Sequence, residues 1–165
     1  MRVIGMGDTV ILLALDPSIV NTGYAILHPD GSVYASGGIR TRTQTKGLQE
    51  RIHYLQSNLS VLIAPYRPQE IVIELPPSFS YGRSGGMNQA SIQKLNLVTG
   101  AFIGMFAHLN GLHLVLPEQR KGKRGNRADR LMNPKATTND EADAIELGRW
   151  WLRIGRQLME KGARE

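Results

Sequence analysis

Residues 10–27 read VILLALDPSIVNTGYAIL, and the interruption inside this stretch organises the rest of the chain. Val10 to Leu15 is an almost continuous apolar run, the pattern of a strand covered on both faces. It stops at Asp16, next to Pro17. Asn21 to Leu27 reads as a second strand, and His28-Pro29-Asp30-Gly31 after it is strong turn chemistry, so Ser32 to Gly37 should return as a third, antiparallel strand.

Beyond this opening the periodicity changes. Leu48, Ile52, Leu55, Leu59 and Leu62 recur at helical spacing, predicting an amphipathic helix that ends near Pro65. Ile71 to Leu75 is a short buried strand stopped by Pro76-Pro77. A helix follows with Ile92, Leu95, Val98, Phe102, Met105 and Leu109 on one face. Leu112 to Leu116 is the fifth strand, closed by Pro117, and a short helix is expected over 128–132. Thr138 and Asn139 are N-cap candidates for a last helix whose buried stripe is Ala144, Leu147, Trp151, Ile154 and Leu158. The order β-β-β-α-β-α-β-α predicts an α/β domain with a mixed five-stranded sheet flanked by helices, spanning 1–165, with residues 1–9 as a flexible extension.

The chain has 165 residues, 41% of them hydrophobic, enough for one core, and no cysteine, which excludes disulfides, thiolate metal sites and thiol catalysis. The opening is too polar and brief for a secretory signal, and no apolar run approaches a membrane span, so a soluble, cytoplasmic protein is expected. The net charge is +6. Most of that excess lies between Glu118 and Lys135, where Arg120, Lys121, Lys123, Arg124, Arg127, Arg130 and Lys135 face only Glu118 and Asp129. Such a stretch suits a polyanion, although a solvated basic loop has the same composition.

Four acids stand at notable places. Asp16 ends a buried strand, where a carboxylate is costly unless solvated or bound to a cation. Glu74 interrupts an aliphatic strand one residue from its end. Asp140 and Asp143 lie three apart on one face of the last helix. Singly, each has a structural reading: Asp140 and Asp143 favour a helix N-terminus, Asp16 caps a turn, and Glu74 pairs with an arginine. Together, on three elements that could converge at one end of the sheet, they point to oxygen ligation of hard cations, Mg²⁺ or Mn²⁺. Two such ions about 3.5–4 Å apart serve phosphodiester hydrolysis, and the basic stretch supplies the attraction for phosphate that an acidic pocket lacks.

These residues resemble the RuvC-type Holliday junction resolvases of the RNase H-like superfamily. Leu15-Asp16-Pro17-Ser18 with Thr22-Gly23-Tyr24 is similar to the family's first-strand motif, Ile71-Val72-Ile73-Glu74 to its second acidic strand, and Asn139-Asp140-Glu141-Ala142-Asp143-Ala144 to its closing motif. Pro117 with Lys121, and Gly125 to Arg130, resemble its two basic elements. The resemblance spans roughly 10–151. It implies an RNase H-like fold and catalysis and metal binding by Asp16, Glu74, Asp140 and Asp143 with two ions per site. It further implies DNA contacts from Lys121, Arg130, Lys123, Arg124 and Arg127, a homodimer acting on four-way or other branched DNA, and no nucleotide cofactor.

The sequence departs from the family pattern at several points. Ser18 stands for glycine, Arg130 for lysine, and Arg120 for valine. The loop aromatic that follows the second acid in the family has only displaced candidates, Phe79 and Tyr81, near Arg83. Gly100 and Gly104 suit close approach of another helix or packing on the sheet. The four histidines show no ligand spacing, and Trp151 reads as core. Two other readings are a YqgF-like RNA-processing nuclease of the same fold and a non-catalytic branched-DNA-binding protein.

Overall fold

The computed structural model describes residues 10–41, 47–76, 89–121 and 139–162. Strands β1 (Leu12–Asp16), β2 (Asn21–Leu27) and β3 (Val33–Arg40) lead to helix α1 (Leu48–Ile63), strand β4 (Glu70–Glu74) and helix α2 (Gln89–Phe106). Strand β5 (Leu112–Val115), a short helix α3 (Pro117–Lys121) and helix α4 (Asn139–Trp150) follow. A π-helical turn (Trp151–Gly155) and α5 (Arg156–Gly162) complete the described chain. The strands form one sheet in the order β3-β2-β1-β4-β5. β1, β2 and β3 pair antiparallel, whereas β1–β4 and β4–β5 are parallel. The sheet is therefore mixed and five-stranded, as the strand pattern predicts.

The turn between β2 and β3 owes its shape to the residues expected to make it. Gly31 adopts φ 84°, a conformation that side chains disfavour. The Asp30 carboxylate accepts from Ser32 N at 2.9 Å and Ser32 Oγ at 2.7 Å, and Gly31 N donates to the His28 carbonyl at 2.9 Å.

Strand alternation divides the core into two layers. Leu13, Leu15, Ile26, Ile71 and Ile73 pack under Leu55, Leu59 and Ile63 of α1 and Val98, Phe102 and Phe106 of α2. On the opposite face, Leu12, Ala14, Ala25, Leu27 and Val72 pack under Ala144, Ile145, Leu147 and Trp151. Gly148 lets α4 approach closely: a Cβ there would lie 2.5 Å from Leu27 Cδ1 and 3.2 Å from Ala14 Cβ. The Arg149 Nε also donates to the Gly31 carbonyl at 3.2 Å, tying the end of α4 to the β2–β3 turn.

Three details correct the sequence reading. Ile154 and Leu158, expected in the buried stripe, are 46% and 50% exposed. The π-helical turn between Trp151 and Gly155 accommodates an additional residue and rotates the following side chains, so the 3.6-residue stripe loses phase there. In α1 the stripe turns onto Ile63 rather than Leu62. Pro117 closes β5 as expected but also opens α3, a first-turn position where its missing N–H costs nothing. The helix expected over 128–132 lies outside the described residues.

Candidate functional site

Asp16 and Glu74 end neighbouring parallel strands. The β1–β4 register pairs Leu15 with Ile73, which makes Asp16 and Glu74 the next residues along each strand. Neighbouring strands lie roughly 4.8 Å apart. Both acids fall on the α4 side of the sheet by alternation, in phase with Leu12, Ala14 and Val72. The sequence expectation that these two carboxylates share one end of the sheet is met.

The loop leaving Asp16 is held from within. Thr22 Oγ1 donates to the Ser18 carbonyl at 2.6 Å and accepts from Ser18 N at 3.2 Å. Thr41 Oγ1 donates to the Ile19 carbonyl at 2.5 Å, and Thr41 N donates to the Val20 carbonyl at 3.0 Å. The Ser18 hydroxyl accepts from Val20 N at 3.3 Å, so a serine where the family has glycine takes part in the loop's own hydrogen bonding.

The start of α4 is seated over this end. Asp16 pairs with Gly23 across β1 and β2. A Cβ on Gly23 would fall 2.0 Å from the Asp140 carbonyl oxygen and 3.0 Å from Glu141 N, so the first turn of α4 rests directly on the strand beside Asp16. Asn21 Nδ2 donates to Asp140 Oδ2, and Ser36 Oγ donates to Glu141 Oε1 at 2.7 Å. Asp140 and Asp143 are half-buried on this turn and the next, whereas Glu141 is buried against β3. Two hydrogen bonds from different strands thus fix the helix start.

Glu74 is buried and engaged by an arginine. Arg120 Nε and Nη2 donate to Glu74 Oε2 at 2.8 and 2.5 Å, and Arg120 Nη1 lies 3.6 Å from Glu146 Oε2. Glu146 follows Asp143 by three residues, on the same helix stripe. One guanidinium therefore connects the end of β4 to the acid-bearing side of α4. The structural reading of Glu74 as an arginine's partner is realised, and the arginine is the residue that departs from the family's valine.

Asp16, Glu74 and the first turn of α4, which carries Asp140, therefore meet at one end of the sheet, with Asp143 one turn further along α4, and the acids form no closed cage. Among the described residues no group of three or more histidine or carboxylate side chains stands close enough to hold a metal ion. Glu74 is directed to Arg120 and Asp140 to Asn21. The donor chemistry fits a hard cation, since these are oxygen ligands on a face that already requires a counter-cation at Glu74. Lys121 closes α3, while Lys123, Arg124, Arg127, Arg130, Phe79, Tyr81 and Arg83 lie outside the described residues.

A second ionic cluster, centred on buried Glu70, occupies the opposite end of β4. Glu70 accepts from Trp151 Nε1 at 2.7 Å and Arg156 Nε at 3.0 Å, and lies 3.5 Å from His113 Nε2. Burial works against the Glu70 charge, but hydrogen bonds from Arg156 and Trp151 outweigh it and hold its pKa below the usual glutamate value. Burial lowers the His113 pKa, partly opposed by Glu70 and reinforced by Arg156. This cluster fastens α5 to the sheet. The sequence pattern assigns Arg120 to the basic stretch rather than to Glu74, and gives no role to Glu146, Asn21 or Glu70; the spacing of Asp143 and Glu146 is the one local signal for this arrangement.

No family model matches the sequence. Among curated proteins it is similar to the crossover junction endodeoxyribonuclease RuvC of Prosthecochloris aestuarii, 31% identical over 99 residues that cover 58% of this chain and 49% of the relative. The RuvC of Marinobacter nauticus is 36% identical over 66 residues, 39% of this chain and 37% of that protein. The matched part of the chain thus spans half or less of the length of these relatives. Among solved structures, Thermus thermophilus RuvC in complex with a Holliday junction substrate superposes with a TM-score of 0.64 at 15% identity, covering 88% of this chain and 96% of that one. The yeast mitochondrial Holliday junction resolvase Ydc2 gives 0.58 at 13% identity, covering 92% and 83%. The fold is that of these RNase H-like structures.

Proposed function

We propose that the chain is a member of the RuvC-type Holliday junction resolvase family, a reading supported by its likeness to RuvC proteins in sequence and fold, and that it is a metal-dependent endodeoxyribonuclease that resolves four-way DNA junctions by paired, symmetric phosphodiester hydrolysis. The observation that carries this reading is the adjacency of Asp16 and Glu74 on one sheet face, with the first turns of α4 seated over the same end.

In this reading Asp16, Glu74, Asp140 and Asp143 hold two Mg²⁺ or Mn²⁺ ions. When bound, such ions supply an activated water and stabilise the leaving oxygen of an in-line displacement. Asp16 would be the ligand shared by the set, because its strand stands between β4, which carries Glu74, and β2, over which Asp140 sits. Asn21 fixes the orientation of the Asp140 carboxylate. Lys121, Lys123, Arg124, Arg127 and Arg130 bring phosphates toward an otherwise acidic site. Phe79 and Tyr81, with Arg83, supply stacking and phosphate contacts at the junction centre.

Paired cuts call for two sites related by symmetry, and hence a homodimer. Helix α2 supports this assembly. Leu97 is 55% exposed, and no described atom lies within 4 Å of where a Cβ would stand on Gly100 or Gly104. Among the described residues the two glycines are therefore not packed on the sheet, which supports a second helix meeting this face of α2.

The test is incubation of synthetic four-way DNA junctions, with matched RNA substrates, in Mg²⁺ and in Mn²⁺. The wild-type chain should introduce paired nicks in the DNA junction. Asp16→Asn should cut at least about a hundredfold more slowly, since even outer partners of metal ligands are worth 10–100-fold. Its junction binding should be largely retained. Near wild-type cutting by this variant would remove Asp16 from the site.

A further inference from the structure

The partner of Glu74 bears on how the site takes up its ions. Arg120 places two donors on one carboxylate oxygen, Glu74 Oε2, and keeps a longer contact with Glu146. The Arg120, Glu74 and Glu146 side chains are 6%, 7% and 16% exposed. A guanidinium so enclosed cannot simply swing into solvent, and a carboxylate so enclosed cannot remain charged without a cation. Oε2, saturated by two donors, has little capacity for a metal ion while Arg120 holds it.

We propose that Arg120 is a resident counter-cation that a divalent ion displaces from Glu74, with Glu146 as the seat to which the guanidinium withdraws. This rests on the reading of Glu74 as a metal ligand. The withdrawal is short, because Glu146 Oε2 already lies 3.6 Å from Nη1. Throughout the exchange Glu74 keeps a cation beside it, the arginine before loading and the ion afterwards. Metal uptake therefore competes with an internal ion pair, and Arg120 sets the concentration of ion at which the site fills. It is a positioning residue, acting through Glu74.

The direction of this effect distinguishes it from a structural role. Titration of the full chain with Mn²⁺ in the absence of DNA, followed by calorimetry and by the spin-resonance signal of the free ion, reads affinity directly. Arg120→Gln should bind Mn²⁺ roughly tenfold more tightly or better, the scale of one buried charge pair removed from competition. Glu146→Gln, which removes the alternative seat, should bind several-fold more weakly, and this weakening should vanish when Arg120→Gln is also present. Persistence of the Glu146→Gln effect in the double variant would assign Glu146 to the ion itself and overturn its role as a seat.

If Arg120→Gln does not fold, Arg120→Lys keeps the charge without the two-pronged hold, and moderately tighter binding is expected. Unchanged or weaker Mn²⁺ affinity in the substituted chain, with wild-type binding still abolished by Asp16→Asn, would overturn the displacement and leave the metal-site reading standing. Absence of Mn²⁺ binding in every variant would remove both.

Discussion

Gly23 lies directly beneath Asp140: a side chain at position 23 would meet the carbonyl oxygen of Asp140 at 2.0 Å. The neighbour is helix backbone, which cannot rotate aside as a side chain could. Because Gly23 is also the β2 partner of Asp16, this contact sets the height of the acid-bearing helix above the sheet. Gly23→Ala should therefore lift the first turn of α4, costing about 1–3 kcal/mol of stability as an overpacked contact does. It should also lower Mn²⁺ affinity. Urea unfolding and metal titration of the same variant check both effects.

Asn21→Ala removes the amide that holds Asp140 and leaves the backbone of β2 unchanged. A hydrogen bond to a charged group contributes roughly 1.5–3 kcal/mol, and Asp140 is only half-buried, so a loss near the lower end is expected. Junction cleavage should slow by roughly tenfold while junction binding is unaffected. Single-turnover cleavage with a parallel binding measurement decides this. A variant that cuts at the wild-type rate would show that Asp140 needs no such support.

Much of this arrangement was legible in the sequence because it is written in local patterns. Asp16 declares itself as a polar end to an apolar run, and β2 occupies the residues its sequence indicates. Strand parity alone places Asp16 and Glu74 on one face once the two strands are neighbours. The Glu74–Arg120 pair was not legible, because the partners are 46 residues apart and only tertiary packing brings α3 against β4. The π-helical turn escaped for another reason. Nothing in Trp151 to Gly155 signals a widened turn, so the sequence pattern carries the buried stripe on through Ile154 and Leu158.

The Glu70 cluster predicts two steps of acid destabilisation. The folded-state pKa of His113 is lowered, chiefly by burial, so between that value and the unfolded value of about 6.5 the unfolded chain binds more protons. Its contribution is complete above about pH 6.5 and is lost as pH falls through the folded pKa. Glu70 is also lowered, with its burial outweighed by its hydrogen bonds, so its contribution is present above about pH 4.3 and drains at lower pH. His113→Phe keeps a ring against Trp151 and should flatten the first step while preserving the second. Unfolding free energy measured at intervals from pH 7.5 to 4 tests this, and an unaltered slope above pH 5 would exclude His113.

The open face of α2 makes a separate prediction. Gly104→Leu fills a position with no described neighbour within 4 Å, so the monomer's fold should tolerate it. If α2 meets a second copy across Leu97, Gly100 and Gly104, self-association should weaken by at least about tenfold. Sedimentation velocity over a range of concentrations gives the answer. An unaffected assembly would place the dimer contact elsewhere.

Strand β4 carries Glu70 and Glu74 on the same face, and the arginines that meet them, Arg156 and Arg120, both come later in the chain. During synthesis this central strand is thus complete well before either counter-charge exists. An emerging chain that ends at α2 would have to insert β4 beside β1 with two carboxylates turned toward an uncovered apolar layer. Closure of the sheet is accordingly tied to arrival of the C-terminal third, and the helix that brings the last two acids into place also permits the middle of the molecule to consolidate.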